Sequence, residues 1–502
     1  MTPISWSLLP FKASKKRVIP PDPKGVVDAF ARIGYTLEQS VADVIDNAID
    51  AEAKNVVVRF FLEDSSIRRI AIVNDGQGLK DSEIDAAMEF GRNNKKSGQS
   101  LGKYGMGLKT ASFNQCKSVS LLSCTEKELA GRRWTTESIA AGWCCDELDK
   151  KEIESLLTRD WGLGDLRSMG RGTIVVWDNL NTQRLDRGHA DIVSSKYLPR
   201  LQKHLGLVFH RFLSSGRFEI RVDTLDAKTG MAGPSNSIFP LDPFSYKRSG
   251  CDGYPSLFKV QMKGLPQLNL EAHIWPSNSN DVGYKLGGGR VSERQGFYFY
   301  RNSRLIQAGG WNGWRESDAE PHLSLARVKI DLSSAFDDVF KLNVQKSGID
   351  VPAVFLDELE TTENDGKTIL QYVQKANDVY RKGKSEKTAK SQVVPGAGVP
   401  NSVRRVESED IGSASKKATS IAVRWKKLPS KIVFSFDRET STIWANSEFK
   451  PLISNNAGSV RLFNTMLYLV LKDIVKLERL HETHIDEMDT INNELLAALG
   501  EH

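Results

Sequence analysis

Cysteines are scarce in this chain, with five among 502 residues, and their positions show no metal-ligand spacing. This scarcity argues against a disulfide framework and against a cysteine-based zinc site, and it leads us to expect a reducing cytoplasm. No apolar run approaches the roughly 20 residues that span a bilayer, so we expect no membrane association. Near the N-terminus, basic residues follow a short apolar patch, which is the reverse of the order in a secretory signal.

A strong charge bias is also missing, because 69 Lys and Arg residues face 63 Asp and Glu residues, for a net charge of +6. This mild excess permits contact with nucleic acid but does not require it. The 40% hydrophobic and 26% charged content is typical of a globular protein. A chain of this length is too long for one ordinary domain, so we expect two to four.

The distribution of periodic and non-periodic stretches predicts five regions. Two of them are αβ-like, and a segment rich in Lys, Ser, Gly, Pro and Val separates them from a small module that ends in a long amphipathic helix. The predicted regions are an arm (1–24), a first α/β domain (25–225), a second α/β domain (226–381), a linker (382–420) and a C-terminal module (421–502).

The first chemically informative motif is VADVIDNAIDA, residues 41–51, in a predicted helix. Helical geometry places Asp43, Asn47 and Asp50 on one stripe, opposite an apolar face. The amide oxygen of Asn47 could bind Mg²⁺, and Asp43, one turn earlier, could act as a general base toward water. Taken alone, such a stripe is more often a solvated helix face.

The second motif is NDGQGL, residues 74–79. Asp75 could accept a hydrogen bond from an adenine amino group, and Gly76 and Gly78 would let the base lie close to the backbone. Asp-Gly is also a common turn dipeptide, so this motif is weak by itself.

The third motif is the glycine-rich run GKYGMGLKTAS, residues 102–112. Its glycines would direct backbone N–H groups toward phosphate, the following helix would add its positive dipole end, and Lys103 and Lys109 could add charge. A flexible loop is the alternative. No GKS or GKT follows, which excludes a P-loop, and the glycines come too late for a Rossmann fingerprint. The candidate nucleotide contacts are Gly102, Lys103, Tyr104, Gly105, Met106, Gly107 and Leu108.

In this order and within 65 residues, the three motifs resemble the N-box and glycine boxes of the GHKL ATPase superfamily, which includes gyrase B, heat-shock chaperones, histidine kinases and MutL. The words DNAIDA, EFGRNNKK and GTIVVW are most similar to the MORC and MutL-like group. The resemblance implies an α/β (α+β) fold: a Bergerat-type ATPase sandwich, a transducer-like α/β domain and a small C-terminal α/β module. It also implies ATP and Mg²⁺ as cofactors, residues 91–102 as an ATP lid, and Thr173 near the adenine site.

The second domain extends the resemblance more loosely. FYFYRNSRLIQAGGW resembles the transducer, and KLNVQKSGIDVP (residues 341–352) lies where the transducer supplies a lysine to the γ-phosphate. Lys346 is therefore the candidate, and the resemblance implies a catalytic role for it. A surface lysine is the alternative.

One residue departs from the family pattern, since Asp43 occupies a position that is Glu in most of the group. Aspartate is shorter by one methylene, about 1.5 Å, and a misplacement on the order of 1 Å can lower a rate roughly a hundredfold. We therefore expect slow hydrolysis by Asp43, or nucleotide binding with almost no hydrolysis.

These features predict an ATPase that works as an ATP-gated homodimeric clamp on DNA or on a DNA-processing or defence partner. The transducer and the C-terminal module would supply the DNA or protein contacts. The alternative is a nucleotide-gated binding or chaperone-like module with negligible hydrolysis. A histidine kinase is disfavoured, because no histidine occurs in residues 1–46 to serve as phospho-acceptor.

Overall fold

The computed structural model describes residues 14–64, 66–90, 101, 107–181, 191–342, 346, 348–389, 393–410, 419–453, 456–475 and 482–500. The chain divides into two compact units, residues 1–377 and 378–502. The predicted first domain lies in the first unit, and the predicted second domain ends four residues beyond it. The predicted linker and C-terminal module lie in the second unit.

An eight-stranded mixed sheet forms the centre of the first domain. In space its strands follow the order β5-β4-β3-β6-β2-β1-β7-β8. β1 is antiparallel to β2 and parallel to β7, which is a crossover connection. The strands are β1 (Asn55–Glu63), β2 (Ser66–Asn74), β3 (Cys116–Thr125), β4 (Leu129–Thr135), β5 (Asp146–Glu147), β6 (Arg171–Leu180), β7 (Glu219–Asp226) and β8 (Asn236–Ser237).

The remaining strands of the first unit form a second, five-stranded sheet and two short hairpins. The order of the second sheet is β12-β11-β13-β10-β9. These strands are β9 (Ser256–Val260), β10 (Leu268–Ile274), β11 (Gly296–Arg301), β12 (Arg304–Ala308), β13 (Ala326–Leu332), β14 (Lys341–Leu342), β15 (Ile349–Asp350), β16 (Glu363–Asn364) and β17 (Lys367–Thr368).

Helices accompany both sheets. Those of the first unit are α1 (Pro23–Ala31), α2 (Leu37–Asp50), α3 (Asp81–Met88), α4 (Gly107–Gln115), α5 (Thr136–Ala140), α6 (Lys150–Leu157), α7 (Leu166–Met169), α8 (Leu198–Val208), α9 (His210–Ser214), α10 (Val282–Lys285) and α11 (Ala353–Thr361). α12 (Ile369–Ala389) runs from the first unit into the second.

The first sheet is covered on both faces, as strand periodicity requires. Alternate residues Val56, Val58 and Phe60 of β1 pack in the main core with α2, α4 and α8. The opposite face packs against α6 and α7 in a smaller core that includes Ile153 and Leu166. The result is the α/β sandwich that we predicted.

The second unit is a four-stranded sheet with helices. Its elements are β18 (Val393–Pro395), α13 (Asn401–Asp410), β19 (Thr419–Lys426), β20 (Phe434–Asp437), β21 (Thr442–Asn446), α14 (Lys450–Ile453), α15 (Ala457–Val475) and α16 (Glu482–Gly500). The strand order is β18-β19-β21-β20.

Two sequence expectations differ from this structure. The predicted linker contains β18 and α13, because the apolar Val393 and Val399 join the core of the second unit. The predicted single C-terminal helix is described as α15 and α16, and the residues between them lie outside the described part of the chain.

Candidate functional site

The candidate site is built along α2, whose start is fixed by a capping box between Thr36 and Gln39. Its apolar residues enter the core as predicted, but Asp43 is also buried, and so is Asp46. Asn47 is exposed and Asp50 is half-buried. The predicted polar stripe is therefore solvent-exposed at only one of its three members.

Asp43 lies near groups from three parts of the chain, which are Tyr35, the start of α4 and the two cations described below. The Tyr35 hydroxyl donates a hydrogen bond to Oδ2 of Asp43, with an O–O distance of 3.0 Å. A Cβ added at Gly107, the first residue of α4, would lie 3.4 Å from the same oxygen. The N-terminus of α4, a favourable place for negative charge, thus begins directly beside this carboxylate.

The other oxygen of Asp43, Oδ1, is buried and accepts no hydrogen bond. It has two cations within ion-pair range but beyond hydrogen-bond distance, Arg304 Nη2 at 3.6 Å and Lys346 Nζ at 3.7 Å. Burial raises the pKa of Asp43, and Asp46 adds to this rise, whereas Lys346, Arg304 and Tyr35 oppose it. An oxygen without a hydrogen bond is what a residue that must orient a water molecule would present.

The two cations come from a distant part of the chain, Arg304 from β12 and Lys346 from between β14 and β15. Both are held mainly by Asp46. Arg304 Nε donates to Asp46 Oδ1 at 2.7 Å, and Lys346 Nζ donates to Asp46 Oδ2 at 2.6 Å. We call these four residues, Asp43, Asp46, Arg304 and Lys346, the buried ion cluster. Its two carboxylates and two cations balance, which is how charge is tolerated away from water.

Lys346 is held in place through its backbone as well. Its φ of 47° lies in the left-handed region, which is unfavourable for a residue with a side chain. Arg304 Nη1 donates to the carbonyl of Lys346 at 3.2 Å. Strain of this kind persists only where surrounding contacts enforce it, and it is frequent at functional sites.

Asn47 and Asp50 complete the α2 part of the site. Asn47 Nδ2 donates to the carbonyl of Asp43 at 3.1 Å, so its amide oxygen is the atom suited to hold a cation. Asp50 Oδ1 accepts from the backbone N–H of Leu101 at 2.8 Å. Asp50 thereby fixes the residue that precedes the glycine-rich loop.

Residues Gly102, Lys103, Tyr104, Gly105 and Met106 of that loop lie outside the described residues. Gly107 and Leu108 begin α4, and Leu108 packs against the main core. Lys109 is buried, and burial lowers its pKa to about 8, while Glu89 opposes this shift. Lys109 is therefore shielded from solvent, and the charge that it could add toward phosphate stays a prediction.

The side chain of Asp75 is engaged by the start of β1. Its Oδ1 accepts from the backbone N–H groups of Lys54 and Asn55 at 2.8 and 2.9 Å, and its Oδ2 accepts from Asn55 Nδ2 at 2.8 Å. These bonds fix the turn between β2 and α3 against β1. The predicted role of Asp75 in base recognition stays a prediction, and it would have to coexist with these bonds.

The two glycines of this turn are required by close packing. A Cβ at Gly78, whose φ is 75°, would lie 2.1 Å from the carbonyl oxygen of Cys124. A Cβ at Gly76 would lie 2.9 Å from the Ala51 carbonyl oxygen at the end of α2. The turn is thus packed directly against α2.

Thr173 lies beside this turn, but its partner is Asn74 rather than Asp75. Asn74 Nδ2 donates to Thr173 Oγ1 at 2.6 Å, and Asn74 Oδ1 accepts from the backbone N–H of Gly76 at 3.0 Å. Asn74 is buried. The pair that the turn and β6 bring together is therefore Asn74 and Thr173.

Sequence reasoning missed Tyr35, Asp46, Arg304 and Asn74. Asp46 and Asn74 lie inside the motifs that we identified, and the amide of Asn74, beside the predicted adenine ligand, was a usable signal. Arg304 lies in the run FYFYRNSRLIQAGGW, but nothing in that run indicated a contact with α2, and no motif that we identified contains Tyr35.

Other features of the molecule are separate from this site. Within the described residues, no group of three or more His, Cys, Asp or Glu side chains is arranged to hold a metal ion. Of the helices in the described part of the chain, none is both long and apolar enough to cross a bilayer. A cleft of about 590 Å³ beside α9 and β13 is lined by His210, Arg211, Asp242 and Lys329, among others.

One comparison with known proteins concerns the segment that contains α2. Residues 35–162 match the family model described as histidine kinase-, DNA gyrase B-, and HSP90-like ATPase. The match contains α2, the turn after β2 and the start of α4. A search of curated proteins found no match to the chain. The matched segment supports an ATP-binding function of the GHKL type for the first domain.

Proposed function

We propose that this chain binds and hydrolyses ATP with Mg²⁺ in the pocket between α2, the Asn74–Gly78 turn and the N-terminus of α4. Asn47 would hold Mg²⁺ through its amide oxygen, Asp43 would orient the attacking water, and Asp75, Asn74 and Thr173 would contact the base. The family match and the unpartnered Oδ1 of Asp43 both support this assignment. Mg²⁺, when bound, would neutralise phosphate charge.

The observation that carries the proposal furthest is the buried ion cluster. Lys346, the predicted γ-phosphate ligand, reaches from the second domain to the carboxylates of α2. A single ammonium group cannot form close ion pairs with both of these carboxylates and with a phosphate at the same time. A triphosphate would therefore compete with Asp43 and Asp46 for Lys346, and this competition would link nucleotide binding to the second domain.

Release of Lys346 would also change Asp43. Burial raises the pKa of Asp43, and among the groups that lower it Lys346 has the largest effect. When the lysine moves to phosphate, Arg304 remains to balance the carboxylates. Asp43 would then be a stronger base next to the bound nucleotide, which suits a group that must accept a proton.

We further propose that ATP binding joins two copies into a clamp that acts on DNA or on a DNA-processing or defence partner. The support is the resemblance of several motifs to the MORC and MutL-like group, together with the transducer-like second domain.

A second function, a nucleotide-gated binding or chaperone-like module with negligible hydrolysis, is favoured by one observation. Asp43 is short and fully buried, and two cations lie near the oxygen that would meet water. Such a carboxylate could stabilise the empty pocket and do little chemistry.

Steady-state phosphate release separates the two functions. We expect slow Mg²⁺-dependent release by the native chain, none above background for Asp43→Ala, and release at or above the native rate for Asp43→Glu. The control is Asp178→Ala, which removes a carboxylate paired with Arg69 outside the cluster. If Asp43→Ala releases phosphate as fast as the native chain, hydrolysis at this site is not the function.

Mass photometry tests the clamp separately. The proportion of dimer should rise when a non-hydrolysable ATP analogue is added, and an unchanged proportion would argue against the clamp. Binding to DNA should weaken steeply as salt increases, since phosphate contacts release counterions, whereas a protein client need not show this dependence.

A further inference from the structure

Helix α15 in the second unit is apolar on two faces. One face enters the core of this unit through Leu467, Tyr468, Leu471 and Ile474. The other face is exposed to solvent and carries large apolar side chains, which we call the α15 stripe: Leu462 (62% exposed), Met466 (57%), Leu469 (42%) and Val470 (52%).

The spacing of the α15 stripe is that of a helix-packing surface. Its members follow one another at i, i+4, i+7 and i+8, the pattern that normally turns a helix toward a core. Single exposed apolar residues are ordinary on protein surfaces, but a contiguous set usually marks an interaction site. The stripe therefore needs a partner surface that is itself helical and apolar.

We propose that the α15 stripe binds the same stripe of a second copy of this chain, with the two α15 helices antiparallel. A twofold axis between residues 465 and 466 places Leu462 of each copy against Leu469 of the other, with the two Met466 side chains near the axis. Such a contact is self-complementary, as expected for a symmetric dimer. It needs no nucleotide, and so it goes beyond the proposed ATP-gated contact.

The charges on α15 favour this partner and this direction. The same axis places exposed Asp473, in the last turn, against Gly458 in the first turn of the partner helix. There the carboxylate meets the positive end of the helix dipole. A parallel pair would instead place the two Asp473 side chains side by side.

The size of the stripe sets the expected strength. A helix of 19 residues is about 28 Å long, and two such helices bury less than the roughly 800 Å² per partner of a standard stable interface. We therefore expect a dimer with a dissociation constant in about the micromolar range. Such a contact would raise the effective concentration at which two nucleotide-bound first units meet.

Analytical ultracentrifugation of the full chain without nucleotide tests the proposal. We expect a monomer–dimer equilibrium in the native chain, and weakening by at least tenfold in Leu469→Glu and in Leu462→Glu. Val282→Glu is the matched control, because Val282 is an exposed apolar residue of the first unit (72%). A native chain that stays monomeric to roughly 100 µM, well above a micromolar constant, would overturn the proposal. A dimer unchanged by both stripe substitutions would overturn it as well.

Cysteine crosslinking tests the direction, in a background in which the exposed Cys144 and Cys145 are replaced by serine. Met466→Cys should form a disulfide dimer. Leu462→Cys should not, because the two copies of residue 462 would lie about 10 Å apart along the helices. Equal crosslinking at both positions would overturn the antiparallel arrangement. Nucleotide binding by Leu469→Glu should match that of the native chain, so failure here would be distinct from failure of the proposed pocket.

Discussion

Removal of the Arg304 guanidinium is the perturbation whose consequence follows most directly from the structure. Arg304 and Asp46 are buried and lie 258 positions apart in the sequence. They share a hydrogen bond of 2.7 Å. Arg304→Met leaves Lys346 as the remaining cation for the two carboxylates of the cluster. Breaking a buried ion pair from one side costs about 3–5 kcal/mol. With an unfolding entropy of about 2.1 cal/mol/K per residue, we expect the melting temperature of the first unit to fall by roughly 4–6 °C.

A double-mutant cycle separates this pair from a general loss of packing. Asp46→Asn in the Arg304→Met background removes the unbalanced carboxylate and should recover part of the loss. We expect an interaction free energy of roughly 1–3 kcal/mol from urea unfolding of the four proteins without nucleotide. The Arg59–Asp223 pair is equally buried and does not contact Asp46. A cycle that combines Arg59→Met with Asp46→Asn should therefore be additive. Additive losses in the Arg304–Asp46 cycle would refute the coupling between the two domains.

Three further predictions concern the pocket and its surroundings. Lys346→Met should weaken binding of ATP in calorimetry while leaving ADP binding unchanged, because its proposed partner is the γ-phosphate; equal losses for both nucleotides would contradict this role. Asn74→Ala should lower ATP affinity roughly tenfold, the value of about one hydrogen bond, without affecting inorganic triphosphate; equal losses for both ligands would indicate a structural role. Burial lowers the pKa of His210 to about 4, so the unfolded chain binds more protons than the folded one between about pH 6.5 and 4. Stability is then complete above that window and is lost as pH falls through it, by at most about 1.4 kcal/mol per pH unit for this group. His210→Gln should flatten the pH dependence of the urea midpoint, and an unchanged dependence would contradict the assignment.

Local periodicity was sufficient to predict the elements that form the pocket. The apolar positions of α2 repeat with the period of a helix and identify its buried face. β1 is instead a nearly continuous apolar run (Val56, Val57, Val58, Phe60 and Phe61), which is typical of a strand that is covered on both faces. The apolar runs GTIVVW (172–177) and FYFYR (297–301) lie within β6 and β11. The α/β class followed from these patterns because they depend on neighbouring residues alone.

The contacts between distant residues could not be predicted in the same way. Periodicity placed Asp43 on the polar side of α2, and nothing near it in sequence indicated that Arg304 and Lys346 would bury that side. The contact of Thr173 with Asn74 instead of Asp75 has a related cause. Successive residues at the end of β2 point to opposite sides. Asn74 therefore meets Thr173 of β6 and Asp75 meets the start of β1, because these are the two strands that flank β2.

The predicted linker shows the limit of composition as a guide. Its Ser, Gly, Pro and Lys content is typical of a flexible segment. Val393 and Val394 nevertheless pair with Thr419 and Ser420 in a parallel ladder, and Val399 is buried. A strand of three residues is too short to produce a periodic signal, so only tertiary pairing reveals it.

Calorimetric titration of a non-hydrolysable ATP analogue with Mg²⁺ tests the central claim most directly. The proposed pocket predicts one saturable site per chain in the native protein, and loss of Mg²⁺-dependent binding in Asn47→Ala. Asn47 is exposed, so this substitution should leave the fold intact. No binding by the native chain, or equal affinity in Asn47→Ala, would contradict the assignment of this helix as the Mg²⁺–ATP face.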